Sequence, residues 1–338
     1  MNAQPFDSTQ DRPDTHTQLR GRRLLIARAA WFAIVILFLA TFFAGMPPRF
    51  DEVRIPCAGE ECAEFALAPQ EANALEEVGL SLEFYAGFVV GGEIWVVVIH
   101  TLLAGVIFWR RSADRTGILL SSALAMIGTF FTSSGVALVN VYPDLYLLYN
   151  LVGAFNVTAF VLLLYLFPDG RFVPRWTRLL ATILAVYLLI AALLTKGILY
   201  YTPGILSTLA FALMFLCVGV GIFAQVYRYR RVSGPVQRQQ TKWVVFGLGA
   251  AVLVVFMYAI SFVLFPPPPG PARVYFNLGG VGIVYLMITL FPLSLAIAIL
   301  RYRLWDIDVL INRTMVYGVL TGALALVYFG SVVLLQGL

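Results

Sequence analysis

Charge is scarce in this sequence. Only 12% of its 338 residues are Asp, Glu, Lys or Arg, about half the roughly 25% that soluble domains carry. A chain so short of charge cannot cover a water-facing surface of its own size, which excludes an ordinary soluble domain. Histidine is scarcer still, with His16 and His100 the only two, and cysteine is limited to Cys57, Cys62 and Cys217. The sequence contains no H-E-x-x-H, no G-x-S-x-G and no P-loop lysine, so the metalloprotease, serine-hydrolase and nucleotide-cradle chemistries tied to those motifs have no anchor. Gly219 and Gly221 sit inside an apolar run, where a phosphate cradle has no place. No cofactor motif and no period of 20–50 residues is visible. The alternating pattern of membrane β-barrel strands is absent as well.

What is present is apolar length. Hydrophobic residues make up 60% of the chain. Runs of about 20 apolar residues cross a bilayer as helices, because a helix satisfies its own backbone in lipid. Nine such runs are expected, at about 24–45, 84–109, 117–140, 145–167, 179–200, 204–227, 243–265, 275–300 and 316–338. The fold class is therefore all-α, a polytopic transmembrane bundle over residues 20–338 with membrane lipids as its surroundings.

The net charge of +5 does not point to nucleic acid, because the basic residues are spread along the chain and sorted by side. Nineteen of the 23 fall in the N-terminal arm and the segments after the second, fourth, sixth and eighth runs. The other four are Arg49, Arg54, Lys196 and Arg273. Lys and Arg collect on the cytoplasmic face, so this split predicts a cytoplasmic N-terminus. It also explains "LFPDGRFVPRWTR" (166–178): a cytoplasmic turn whose arginines meet anionic headgroups and whose Trp176 suits the interface. The first run is too long for a signal core and no small-x-small site follows, so it reads as a signal anchor. With nine spans and an inside start, residue 338 falls outside with no flank, and the gene product is expected to continue.

Residues 1–19 are polar and aperiodic, and are expected to be a disordered cytoplasmic arm. Residues 46–83 form a small extracytoplasmic segment that holds nine of the 18 acidic residues. Pro69 can open a short helix there and Gly79 can end it. Its "CAGEEC" places Cys57 and Cys62 on the oxidising side, where a disulfide is the favoured reading. A metal site is the alternative, but no histidine is near to complete one. Cys217, inside a run, reads as packing. "PPPPGP" (266–271) reads as a stiff outer connector.

Glu93 and His100 are the acidic residue and the histidine placed deep in a run, and their spacing of seven puts them on one helix face. A buried ionisable group is costly in hydrocarbon and needs a partner or a task. One reading is a ligand- or proton-sensing pair. The other is an interhelical hydrogen bond to Asn156, Thr158 or Asn277. The third run is rich in small and hydroxyl residues (Ser121, Ser122, Gly128, Thr129, Thr132, Ser133, Ser134, Gly135), which reads first as close packing and second as a polar solute path. Tyr142, Tyr146 and Tyr149 read as interface anchors or as part of a ligand cage. Neither broken helices nor repeated halves are clear in the sequence, although Gly91-Gly92 and Pro292 could interrupt spans, which keeps a transport reading open.

"YRYRRVSGPVQRQQTKWVVFGL" (227–248), "RYRLWDIDVLINRTMVYGVLTGALALVYFGSVVLLQ" (301–336), "LFPDGRFVPRWTR", "CAGEEC" and "LEEVGLSLEFYAGF" (75–88) together resemble the membrane-spanning N-terminal region of bacterial many-pass sensor histidine kinases. The likeness is to the competence and nitrate-response type common in Chloroflexota-like bacteria. The resemblance implies a sensory input domain of a two-component system, with a kinase module supplied in cis or in trans and a homodimer as the working unit. Residue 338 precedes the GAF, phosphoacceptor and ATP-binding parts of that plan, so kinase activity does not carry over. The residues alone leave two rivals: a small-solute transporter or channel using Glu93 and His100, and a membrane scaffold. In 301–313, Asp306 and Asp308 beside Arg301, Arg303 and Arg313 read either as a salt-bridged surface helix or as a solvated connector.

Overall fold

The computed structural model describes residues 19–58, 62–168, 170–195, 204–264, 267–268 and 270–300. The N-terminal arm up to residue 18, Lys196, Pro266 and Pro269 of "PPPPGP", the Asp306/Asp308 stretch and the ninth apolar run lie outside the described residues. Among the described residues every regular element is a helix.

Helix α1 (Arg22–Arg54) is 33 residues long and continues through Pro47 and Pro48. At 1.5 Å per residue it measures about 50 Å, well beyond the ~30 Å hydrocarbon core. The first apolar run ends near residue 45, yet the helix does not. Proline weakens a helix without forcing it to stop, and the turns beyond it are held by side chains on their inner face. Arg49 and Val53 there are fully buried. Val53 joins Leu67, Leu75 and Tyr85 in a core that closes one end of the bundle.

That end carries a small cap. Helix α2 (Pro69–Glu77) has Pro at its first position. The Glu71 carboxylate accepts from the Ala68 backbone N–H at 2.9 Å, which satisfies one of the orphan donors of the first turn. Gly79, at φ 78°, takes the left-handed conformation that turns the chain towards α3. Helix α3 (Leu82–Arg111) is capped by Ser81, whose Oγ accepts from Phe84 N at 3.1 Å. It runs unbroken through Gly91-Gly92, so those glycines do not interrupt the span. Gly92 serves close approach instead: a Cβ at that position would collide with the Tyr285 ring.

The third apolar run is where the structure departs most from a plain span. It forms α4 (Arg115–Phe130) and α5 (Ser134–Val141), bent by 64° at a short break. The expected straight helix over 117–140 is thus two pieces. A 3-10 turn (Pro143–Leu145) leads into α6 (Tyr146–Leu166), followed by α7 (Thr177–Leu194), α8 (Ile205–Arg231) and α9 (Pro235–Leu264). The last described helices are α10 (Pro271–Ile288) and α11 (Leu290–Leu300), separated at Thr289 close to Pro292.

Among the described residues, six stretches are long and apolar enough to cross a membrane: α1, α3, α6 with its leading turn, α7, α8, and α10 running into α11. The bent α4–α5 pair makes a seventh if it counts as one span. The protein is thus a helical, multi-pass membrane protein. Its outward faces carry large apolar side chains such as Ile36, Leu102, Trp109, Leu193 and Phe215, as a lipid surround requires.

Packing follows chain order at first, α3 against α4 and α6 against α7, then departs from it, with α1 against α5 and α9 against α11. The arginine-bearing segments meet at one end. Leu19 N donates to Ala113 O at 2.7 Å, Arg28 donates to Ser112 Oγ at 2.8 Å, and Arg228 donates to the carbonyls of Tyr165 and Arg171. The cap closes the other end.

Candidate functional site

The break between α4 and α5 frees backbone groups that a continuous helix would pair, and nearby side chains take some of them up. Thr129 and Thr132 donate to carbonyls one turn back, those of Met126 and Thr129, both at 2.9 Å. Such local bonds compete with helix continuation. On the far side of the break the donors turn to Glu93 of α3. Ser134 Oγ donates to its Oε2 at 2.6 Å, and the Ser133 N–H lies 3.4 Å from its Oε1. A carboxylate at the start of α5 also meets the positive end of that helix.

The charge of Glu93 is balanced from α1. Arg49 Nε donates to Glu93 Oε1 at 3.0 Å, with both residues fully buried. A second guanidinium nitrogen of Arg49 donates to the Glu64 carbonyl at 2.8 Å, and a third lies 3.8 Å from the Glu52 carboxylate. Close helix contact makes this geometry attainable. Gly45 of α1 packs against the Ser134 backbone so tightly that a Cβ would overlap the Ser134 carbonyl. Ser133 extends the network outward, its Oγ donating to Glu64 Oε2 at 2.8 Å.

Beside this network lies a cavity of about 540 Å³. Glu64, Ser133, Thr129, Thr132 and Asn156 contribute its polar wall. Phe42, Phe65, Phe131, Tyr149, Phe211 and Tyr285 contribute an aromatic one. Asn156 is 4% exposed; its Nδ2 donates to Thr129 Oγ1 at 3.3 Å, while its Oδ1 has no partner among the described residues.

The residues singled out from sequence are therefore distributed unevenly. Glu93 is the hub of the network. His100 is equally buried, but its Nδ1 donates to Val96 O of its own helix at 2.8 Å, and its Nε2 is unpartnered among the described residues. The two share a helix without sharing a site. Asn156 meets neither of them and belongs to the cavity wall. Thr158 donates to Ala154 O within α6. Cys57 and Cys62 are joined in a disulfide, S–S 2.12 Å, in the cap, and Cys217 is a buried free thiol. Of the three tyrosines, Tyr149 lines the cavity and Tyr142 is exposed.

Arg49 is the residue that sequence reasoning missed, because it follows two prolines just past an apolar run. The available signal was electrostatic: a deep carboxylate needs a cation, and only four basic residues fall on that side of the chain. Chemically the site is rich in carboxylate and amide acceptors and in hydroxyl groups. No cluster of three or more His, Cys, Asp or Glu side chains able to hold a metal occurs among the described residues. Comparison with models of known families, with curated proteins and with solved structures gives no match.

Proposed function

We propose that this chain is a membrane-embedded sensory input module of a two-component system, which receives a small molecule in the cavity beside the α4–α5 break. One observation carries the reading. An open cavity adjoins a bent span whose geometry depends on a buried charged network. Occupying the cavity changes what Ser133 and Thr129 contact, and both flank the bend. Helix α4 leads straight from the bend to the arginine-rich end, where Ser112 receives Arg28 of α1. A change of bend is thus delivered to that end, from which a kinase module in cis or in trans would read it.

The topology that goes with this reading has nine spans in a bacterial inner membrane, with the N-terminus in the cytoplasm. Seven spans are the helical stretches already described, α9 is the eighth and residues 316–338 the ninth. The charge bias of 19 to 4 supports the orientation. A single thiol-reactive label applied to intact cells should reach Glu77→Cys in the cap, and should reach Arg175→Cys only after the membrane is opened. The opposite pattern would invert the orientation.

Transport is the second reading, favoured by the broken span, since interrupted helices at a polar site are a habit of transporters. Two observations separate the readings. An in-frame phosphoacceptor helix and ATP-binding domain beyond codon 338 would support sensing. A stop codon there, together with solute counterflow in proteoliposomes, would replace sensing with transport.

A further inference from the structure

We infer that the cavity is selective for an organic cation, a primary ammonium group carried on an apolar or aromatic body. This rests on the reading of the cavity as a ligand site and adds the chemistry of what enters it.

The first ground is charge. Glu93 and Glu64 are both tied to Ser133, and the one guanidinium that reaches this network among the described residues is Arg49. Arg49 also faces Glu52 at 3.8 Å. The other described arginines of this end are engaged elsewhere, Arg54 with Asp51 at 3.1 Å and Arg273 with Glu71 at 3.0 Å. The carboxylate of Glu64, at the exposed mouth, therefore has no cation of its own among the described residues. Its Oε2 takes the Ser133 hydroxyl, and a carboxylate with a single donor keeps acceptor capacity to spare. Around it, residues 46–83 hold nine acidic side chains against two arginines, a field that draws cations to the mouth.

The second ground is the wall. Asn156, buried in the cavity lining, has its Nδ2 committed to Thr129 and its Oδ1 without a donor among the described residues. A buried carbonyl oxygen in that state calls for an N–H or O–H from the occupant. A carboxylate or phosphate would meet this oxygen and Glu64 with repulsion at both.

The third ground is size and surface. Seven aromatic residues, Phe130 among them, line a space of about 540 Å³. That is far more room than a bare metal ion fills, and within the range of roughly 300–1,000 Å³ that holds small organic ligands. Aromatic faces stabilise ammonium groups and bury an apolar body in the same contact.

The test is direct binding to the full chain in lipid nanodiscs, by titration calorimetry, with three probes of one shape: 2-phenylethylamine, 2-phenylethanol and 3-phenylpropionate. The amine is expected to bind at least tenfold more tightly than either of the others. Glu64→Gln, at an exposed position, should abolish that preference while the unfolding midpoint stays unchanged. Asn156→Leu should weaken the amine several-fold. Equal binding of the alcohol, preferential binding of the acid, or an amine affinity untouched in Glu64→Gln would each overturn the cation assignment and leave the sensory reading standing. Absence of binding by all three probes would also overturn it. The sensory reading has its own test in the reading frame beyond codon 338, so the two fail separately.

Discussion

The two ends of the bundle bury arginines by different means. At the cap end, Arg49 is matched by a carboxylate on another helix, and Glu93 is held in turn by two serines across a broken span. At the arginine-rich end, Arg228 of α8 is 1% exposed and donates to backbone carbonyls, those of Tyr165 at 3.0 Å and Arg171. Gln225, one turn earlier, does the same to Leu164 and to Phe167, the latter at 2.9 Å. Carbonyl dipoles at the end of α6 are fixed features of the chain, since any sequence would present them. A carboxylate is a choice of side chain, and its charge is worth keeping only while its partner is in place. The cap end is therefore the conditional half of the molecule and the arginine-rich end the unconditional one.

The sharpest way to break this contrast is at Arg49. Arg49→Met leaves Glu93 buried and without its cation, and breaking a buried pair in that way costs about 3–5 kcal/mol. The unfolding midpoint in nanodiscs should fall further than in Arg228→Met or His100→Leu. Adding Glu93→Gln should recover most of the loss. The second change removes the stranded charge and keeps an amide oxygen for Ser134 Oγ. A double variant as unstable as Arg49→Met alone would mean that the pair is not the element that matters.

Arg228→Met is the matching change at the other end. Among the contacts described, loss of Arg228 strands backbone carbonyls, and that loss amounts to about 1–3 kcal/mol. The carbonyls of Tyr165 and Arg171 belong to the backbone and stay whatever side chains are changed. A second side-chain substitution does not restore what those carbonyls lose. A midpoint drop as large as that of Arg49→Met would erase the distinction between the two ends.

How much of this was legible beforehand follows the same division. Apolar runs and the bias of Lys and Arg depend on composition over many residues, so the helical bundle and the gathering of arginine segments at one end could be read directly. The bend in the third run could not. Ser121, Ser122, Ser133 and Ser134 look alike in sequence, but the first two donate to the Ile118 carbonyl within α4, whereas Ser133 and Ser134 turn to Glu93. Only the register of α3 and α1 against that stretch separates them. Arg49 was hidden for the same reason. Its local neighbours, two prolines and an acidic cap, describe a loop, and its role comes from a residue 44 positions away.

Glu93 and His100 bring the comparison down to a single helix and give the smallest expected effect. Both are fully buried on α3, and their spacing invites treatment as a pair. Their surroundings say otherwise. Glu93 has partners on α1 and α5, whereas His100 satisfies one nitrogen on its own backbone and leaves Nε2 without a partner among the described residues. The His100 Cβ packs against Gly128 of α4. His100→Leu keeps that Cβ and a side chain of similar size. It also removes an unmet polar atom, which offsets the lost bond to Val96. The change in stability should stay within about 1 kcal/mol, because replacing a poorly satisfied buried polar group by an apolar one of like shape is close to neutral. Ligand binding in the cavity should be unaltered too, since His100 is not part of its wall. Glu93→Gln alone removes the charge that balances Arg49 and should cost several times more. If His100→Leu were as damaging as Glu93→Gln, the two would be acting as one unit after all, and the conditional half of the protein would extend a full two turns deeper along α3.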